Sequence, residues 1–229
     1  SETITKEGTL FWAGHEGSDT DFSDIAGLQA NDGAAGFLID SASENTVISP
    51  IGPLSNVADA IMRDPEKMRQ LKKLAVMGTT YNGDGLENSS WEHNISTDPE
   101  AAKIVLESGI PAVVAGLNVT RQVTVTRDDA LSLRGSPLGD YLCDMTMQYC
   151  DIMKRDFTYM HDPLAVAAVI DPGIVTVRRM SAEVLLDGRV VYNADNTGTL
   201  EVCVEVDSDR FNDMLMSRIR LLCLGGNRG

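Results

Sequence analysis

The sequence predicts an α/β fold: a mostly parallel sheet flanked by helices, with a small antiparallel hairpin towards the C-terminus. Three observations carry that prediction. Strand–loop–helix units recur, first where Thr46–Ser49 runs through Pro50-Ile51-Gly52-Pro53 into a helix, then where Leu74–Met77 runs into Gly78-Thr79-Thr80. The stretch Pro111–Leu117 is nearly all small or branched apolar residues, as suits a parallel strand covered on both faces. Asp187-Gly188 separates two strand-like runs at hairpin spacing.

A chain of 229 residues with 43% hydrophobic content predicts one domain, 1–229, with a large core. The formal charge is -15, and basic residues cluster no further than Arg69, Lys72 and Lys73, which argues against a nucleic-acid partner. Cys143, Cys150, Cys203 and Cys223 lack metal-site spacing, so they read as reduced thiols in a cytoplasmic protein. No secretory signal is read, and the apolar runs are too short for a membrane span. The three Asn-x-Ser/Thr matches, at Asn88, Asn94 and Asn118, are therefore chance.

In chain order, Thr9–Trp12 predicts a short strand, followed by a polar loop holding His15, a solvated histidine. Asp19, Asp21 and Ser23 have calcium-loop spacing, but Asp24 stands where that loop needs glycine and Ala30 where it needs glutamate, so an EF-hand is rejected. Helices are expected at Ala34–Ser41 and Val57–Met62. A long glycine- and asparagine-rich loop leaves Met77 at the strand edge where α/β sheets bind ligands. Asp98-Pro99 starts a helix that Gly109 ends, and Asp128 or Asp129 starts another. Pro137–Tyr159 predicts one or two helices, with Met145, Met147 and Met153 as core filler. Strands are expected at Ile174–Val177, Ala182–Leu186, Arg189–Asn193 and Leu200–Val206, and a helix at Asp207–Leu224.

Two polar clusters precede helices. In His161-Asp162-Pro163, proline suits a helix start, so Asp162 reads as the N-cap with His161 just before it. The same pair can equally serve as a carboxylate and a titratable imidazole presented at one helix mouth. Glu92 and Asn94, two apart in an extended segment, would share a face and suit the hydroxyls of a sugar. They can also be a turn that satisfies its own backbone.

Val76-Met77-Gly78, Trp91-Glu92-His93-Asn94 with Thr97-Asp98-Pro99-Glu100-Ala101-Ala102, Gly116-Leu117-Asn118-Val119-Thr120 and His161-Asp162-Pro163-Leu164-Ala165-Val166-Ala167 resemble, in order, the inosine–uridine-preferring nucleoside hydrolases. Ile51-Gly52-Pro53-Leu54-Ser55-Asn56 is similar to that family's strand-end turn. The resemblance implies a Rossmann-like sheet and an enzyme that hydrolyses the N-glycosidic bond of ribonucleosides to ribose and base. It implies a bound Ca²⁺ whose water is the nucleophile. Glu92 and Asn94 would bind ribose hydroxyls, and Met77 would pack against the sugar. Asp162 would ligate Ca²⁺ and reach the ribose, and the main-chain carbonyl of Ile51 would be a second metal ligand. His161 would be the general acid for the departing base. The family's members form homodimers or homotetramers, with small-molecule ribonucleosides rather than nucleic acid or membrane as partners.

The family's N-terminal aspartate-rich segment, D-x-D-x-x-x-D-D, has no counterpart here, and Asp19-Thr20-Asp21-Phe22-Ser23-Asp24 does not take its role. The family's further ribose-binding asparagine could be Asn82 or Asn88, neither at the usual spacing. A parallel sheet without its first strands would expose an apolar edge, which favours a longer parent protein. The rival reading is a truncated, non-catalytic nucleoside- or ribose-binding relative, and a third is a subunit completed by a partner chain.

Overall fold

Residues 33–194 and 198–225 are described by a computed structural model. The expected strand at Thr9–Trp12, His15 and the aspartates from Asp19 to Asp24 lie outside the described residues. Contacts group the chain into two compact units. Among the described residues the larger holds 33–123 with 159–194 and 198–212, and the smaller holds 124–158 with 213–225.

The larger unit opens with α1 (Ala34–Ser41), β1 (Val47–Ile48), α2 (Ser55–Arg63) and α3 (Pro65–Met68). Next come β2 (Lys73–Met77), a 3-10 turn at Leu86–Asn88, α4 (His93–Thr97), α5 (Pro99–Leu106), β3 (Ala112–Ala115) and α6 (Leu117–Thr120). At the head of α5 the Asp98 carboxylate accepts a hydrogen bond from the Ala101 N–H while Pro99 takes the first turn, as the sequence predicts. In the smaller unit, β4 (Thr124–Thr126) leads into α7 (Arg127–Leu131), where Thr126 and Asp129 form a reciprocal capping box. α8 (Pro137–Met153) and β5 (Phe157–Tyr159) follow. The larger unit resumes with α9 (His161–Ile170), a 3-10 turn at Pro172–Ile174, β6 (Val175–Val184), β7 (Val190–Asn193) and β8 (Leu200–Val206), before α10 (Ser208–Gly225).

Two expectations are corrected here. Ile174–Val177 and Ala182–Leu186 are not separate strands but parts of the ten-residue β6. Arg178 and Arg179, in the gap between the two expected strands, are solvent-exposed within one strand whose first part pairs with β8 and whose second part pairs with β7. The helix expected to reach Tyr159 stops at Met153, because Lys154 turns into the left-handed region at φ 52° and Phe157-Thr158-Tyr159 becomes a strand.

Among the described residues the main sheet has six strands in the order β1-β2-β3-β8-β6-β7. β1, β2, β3 and β8 run parallel to one another, and β6 pairs antiparallel with both β8 and β7. The hairpin between β6 and β7 turns at Gly188, whose φ of 84° suits glycine. Leu74, Val76, Ala112, Val114, Leu200 and Val202 share a core with the buried faces of α1, α2 and α5. The alternate residues Ala75, Met77, Val113 and Ala115 are buried as well, and α9 packs on β2 and β3. Helices therefore cover both faces of the parallel strands, which explains their unbroken apolar runs. Small residues along α9 (Ala165, Ala167, Ala168) allow that close approach, and Leu164 is fully buried among them. Among the described residues no helix is long and apolar enough to cross a membrane.

Leu164→Ala should lower the unfolding free energy by about 2–5 kcal/mol, as expected for a buried leucine deleted from a tight core. Val166→Ala on the exposed side of the same helix should change it by less than about 1 kcal/mol. Urea unfolding checks both, with an unchanged m-value confirming that stability alone has moved.

Candidate active site at the strand ends

Parallel strands deliver their C-terminal ends to one edge, and the loops beyond β1, β2 and β3 carry Ile51, Gly78-Thr79 and Gly116. β2 ends at Met77, and the chain then makes a forced turn. Thr79 has φ 71°, a left-handed conformation unusual for a β-branched residue, and it is 1% exposed. Its surroundings hold it there. Its N–H donates to Glu92 Oε2 at 3.2 Å, its carbonyl accepts from the Leu117 N–H at 3.0 Å, and its Oγ1 accepts from the buried Tyr192 hydroxyl at 2.8 Å. Gly116 is required beside it, because a Cβ there would sit 3.2 Å from both the Thr79 carbonyl and hydroxyl oxygens and 2.7 Å from Asn118 Oδ1.

Glu92 is the N-cap of α4, 6% exposed. Oε1 accepts from the Asn94 N–H at 3.0 Å, and Oε2 accepts from the Ile95 N–H at 3.2 Å as well as from Thr79. Burial pushes its carboxyl above the usual carboxylate range, and the three N–H bonds oppose that. The expectation of an extended Glu92–Asn94 segment with one shared face is therefore corrected: His93–Thr97 is helical, and the two residues come together as cap and second helical position. The reading that Glu92 satisfies local backbone is met in part, since it also binds Thr79 across the loop.

Asn94, 7% exposed, donates through Nδ2 to the Met77 carbonyl at 3.2 Å, to Met77 Sδ at 3.3 Å and to the Ile51 carbonyl at 3.4 Å. Ile51, Met77, Glu92 and Asn94, four of the residues singled out in the sequence, thus form one bonded cluster. Glu92 has four lone-pair sites and uses three, and Asn94 Oδ1 has no partner among the described residues. Each residue thus keeps an acceptor open, and hydroxyl donors suit both.

His161 and Asp162 stand at the head of α9. The expectation that Asp162 is the N-cap is corrected: the helix starts at His161, Met160 is the cap residue, and no side chain caps the helix. Asp162 instead sits in the first turn, where a carboxylate favours the helix dipole and proline at the next position still forfeits no helical hydrogen bond. Half-buried, its side chain makes no hydrogen bond among the described residues, and burial raises its carboxyl above the ordinary value. His161 Nδ1 lies 2.6 Å from Thr120 Oγ1, and its ring centroid is 5.3 Å from that of Tyr159. Burial first, and the Arg121 charge second, bring its imidazolium down to about 4, so the ring is neutral near pH 7.

Thr79, Thr120 and Tyr192 were not singled out as site residues in the sequence. Thr79 and Thr120 stand inside quoted motifs, whereas nothing local in the sequence ties Tyr192, on β7, to this edge. Asn82 and Asn88 bond within their own loop, to Ser90 and to the Asp84 carbonyl. Among the described residues no three His, Cys, Asp or Glu side chains converge as a metal site. Asp162 and the Ile51 carbonyl are hard oxygen donors suited to Ca²⁺, but they fall short of its six to eight ligands.

The family model for inosine-uridine preferring nucleoside hydrolases matches residues 4–213. A probable uridine nucleosidase 2 from Arabidopsis thaliana is 31% identical over 208 residues, covering 80% of this chain and 64% of the relative. A probable uridine nucleosidase 1 from Oryza sativa is 36% identical over 160 residues, covering 66% and 49%. Among solved structures, a purine-preferring ribonucleoside hydrolase from Gardnerella vaginalis superposes with TM-score 0.77 at 33% identity, over 85% of this chain and 67% of that one. The chain spans about half to two-thirds of the length of the curated relatives it matches.

Asn94→Asp should destabilise the protein by about 1–3 kcal/mol, because it sets a buried carboxylate against two carbonyl oxygens. Asn94→Leu, which removes the donor without adding charge, should be milder. Thermal unfolding of the two variants side by side checks the order.

Proposed function

We propose that this chain, which belongs to the inosine-uridine preferring nucleoside hydrolase family, works in the hydrolysis of the N-glycosidic bond of ribonucleosides. The observation that carries this reading is the pair of unfilled acceptors on Glu92 and Asn94, held rigidly beside Met77 at the strand ends. A ribose offers adjacent hydroxyl donors to such a pair, and the Met77 side chain supplies an apolar contact for the ring. Cleavage develops positive charge on the sugar, which the Glu92 and Asp162 carboxylates would stabilise. His161, neutral near pH 7, faces the departing base as the residue that eases its loss.

Asp162, whose half-buried side chain makes no hydrogen bond among the described residues, is the residue we assign to a Ca²⁺, with the Ile51 carbonyl as a second donor. The remaining ligands would come from outside the described residues. A bound Ca²⁺ would acidify a coordinated water. The relatives named for uridine and for purine ribonucleosides frame the substrate class, and the assay decides the base. A homodimer or homotetramer belongs to the same reading and rests on the family resemblance, whereas placement in the cytoplasm rests on the cysteine pattern of the sequence. The second reading, a ribose-binding relative without turnover, is favoured by one observation: no acidic cluster accompanies Asp162 among the described residues.

Ribose release from inosine and uridine by the protein, with and without EDTA, separates the two. Release that EDTA abolishes and added Ca²⁺ restores supports hydrolysis, whereas saturable ribose binding without release supports the second reading. In an active protein, 2′-deoxyuridine should be cleaved at least about 100-fold more slowly than uridine, because a buried acceptor would lose its donor. Equal kcat/KM for the two would remove the assignment of Glu92 and Asn94. Asp162→Ala should reduce turnover below detection.

A further inference from the structure

Thr120 is 0% exposed at the end of α6, and among the described residues its hydroxyl has one hydrogen-bond partner, His161 Nδ1, at 2.6 Å. A hydroxyl carries one proton to donate, and a neutral imidazole has one donor nitrogen and one acceptor. If Nδ1 held the ring proton, it would donate to Oγ1, and the Thr120 proton would be buried without an acceptor. If the Thr120 O–H donates to Nδ1, both buried atoms of the contact are satisfied and the ring proton lies on Nε2, which is not among the fully buried atoms left without a partner. Nε2 itself makes no hydrogen bond among the described residues, so its N–H is available to a ligand.

We infer that Thr120 is a positioning residue that locks His161 with its ring proton on Nε2, so that the Nε2–H donates a hydrogen bond to the departing base. The functional half of this inference rests on the reading in the preceding subsection, and the tautomer half does not. The proton balance closes without any change at His161: water adds its oxygen to the sugar carbon as the C–N bond breaks, and one water proton ends on the base. The imidazole N–H spreads the charge that builds on the base during bond breaking. Thr120 is itself well placed to impose this, because α6 is tied to the Thr79 carbonyl through the Leu117 N–H at 3.0 Å.

The test has two arms. ¹⁵N NMR of the ligand-free protein reads the two ring nitrogens of His161 directly. The expected spectrum has a protonated Nε2 and an acceptor Nδ1 in the wild type and in Thr120→Ser, and a mixture of tautomers in Thr120→Val. A proton on Nδ1 in the wild type overturns the inference, and that measurement needs no variant to fold. The kinetic arm compares inosine with 4-nitrophenyl riboside, whose leaving group departs as a stable anion. Thr120→Val should lower kcat on inosine by about tenfold, the range of one hydrogen bond, with KM little changed. The nitrophenyl substrate should be unaffected and Thr120→Ser should restore inosine. Equal losses on both substrates would make Thr120 merely structural and overturn the inference. A wild type that releases no ribose would defeat the functional reading while leaving the tautomer to the NMR arm.

Discussion

The Glu92 carboxylate and the three backbone N–H groups it accepts are the interaction on which the rest of the site depends. One N–H comes from Thr79, beyond the end of β2, and two come from the first turn of α4. The carboxylate therefore ties a strand end to a helix mouth across 13 positions of sequence. Burying a carboxylate opposes its ionised form, and hydrogen bonds from backbone donors are what make the ionised form tolerable. Those donors leave only one of its lone-pair sites open, so the same bonds that hold the group in place also set what it can accept. The bonded Asn94 amide then reaches Met77 and Ile51, and a single buried carboxyl side chain organises the ends of two strands.

Thr79 shows how that arrangement is maintained. A non-glycine residue in the left-handed region costs about 1 kcal/mol or more, and it persists only where its surroundings over-determine it. Here the N–H, the carbonyl and the hydroxyl of Thr79 are each engaged, by Glu92, Leu117 and Tyr192. Gly116 leaves the room that any Cβ would take. Leu117 opens α6, and α6 ends at Thr120 against His161. A bonded path thus runs from the Glu92 cluster through Thr79 and α6 to the imidazole. The two polar clusters are parts of one rigid edge rather than independent loops.

Much of the fold was legible because its signals are local. Asp98-Pro99 announces α5 by cap and proline, and Ala112–Ala115 announces a doubly covered strand by its lack of polar residues. Gly188 announces the hairpin. Where local signals compete, the reading slipped. Residues 178–181 fall between two strand-like runs, but Arg178 to Met180 pair with β8 and Ser181 pairs with β7, which carries β6 through them. Phe157-Thr158-Tyr159 follows a long helix and was read as its continuation, until the left-handed Lys154 ended it. Asp162 before proline carries the pattern of a cap, yet α9 begins one residue earlier, because Met160 supplies the first helical carbonyl, to the Leu164 N–H at 3.2 Å.

The sequence by itself determined the α/β class, the family, and the identities of Ile51, Met77, Glu92, Asn94, His161 and Asp162 as residues of interest. It could do so because residue type, short-range spacing and motif order survive in one dimension. Only the tertiary structure decided what those residues touch. Thr120 meets His161 from 41 positions away, and Tyr192 meets Thr79 from 113. Such pairs depend on which strands are neighbours and how far each loop rises above the sheet edge. Those are properties of the assembled sheet and the helices packed on it, and no window of sequence contains them.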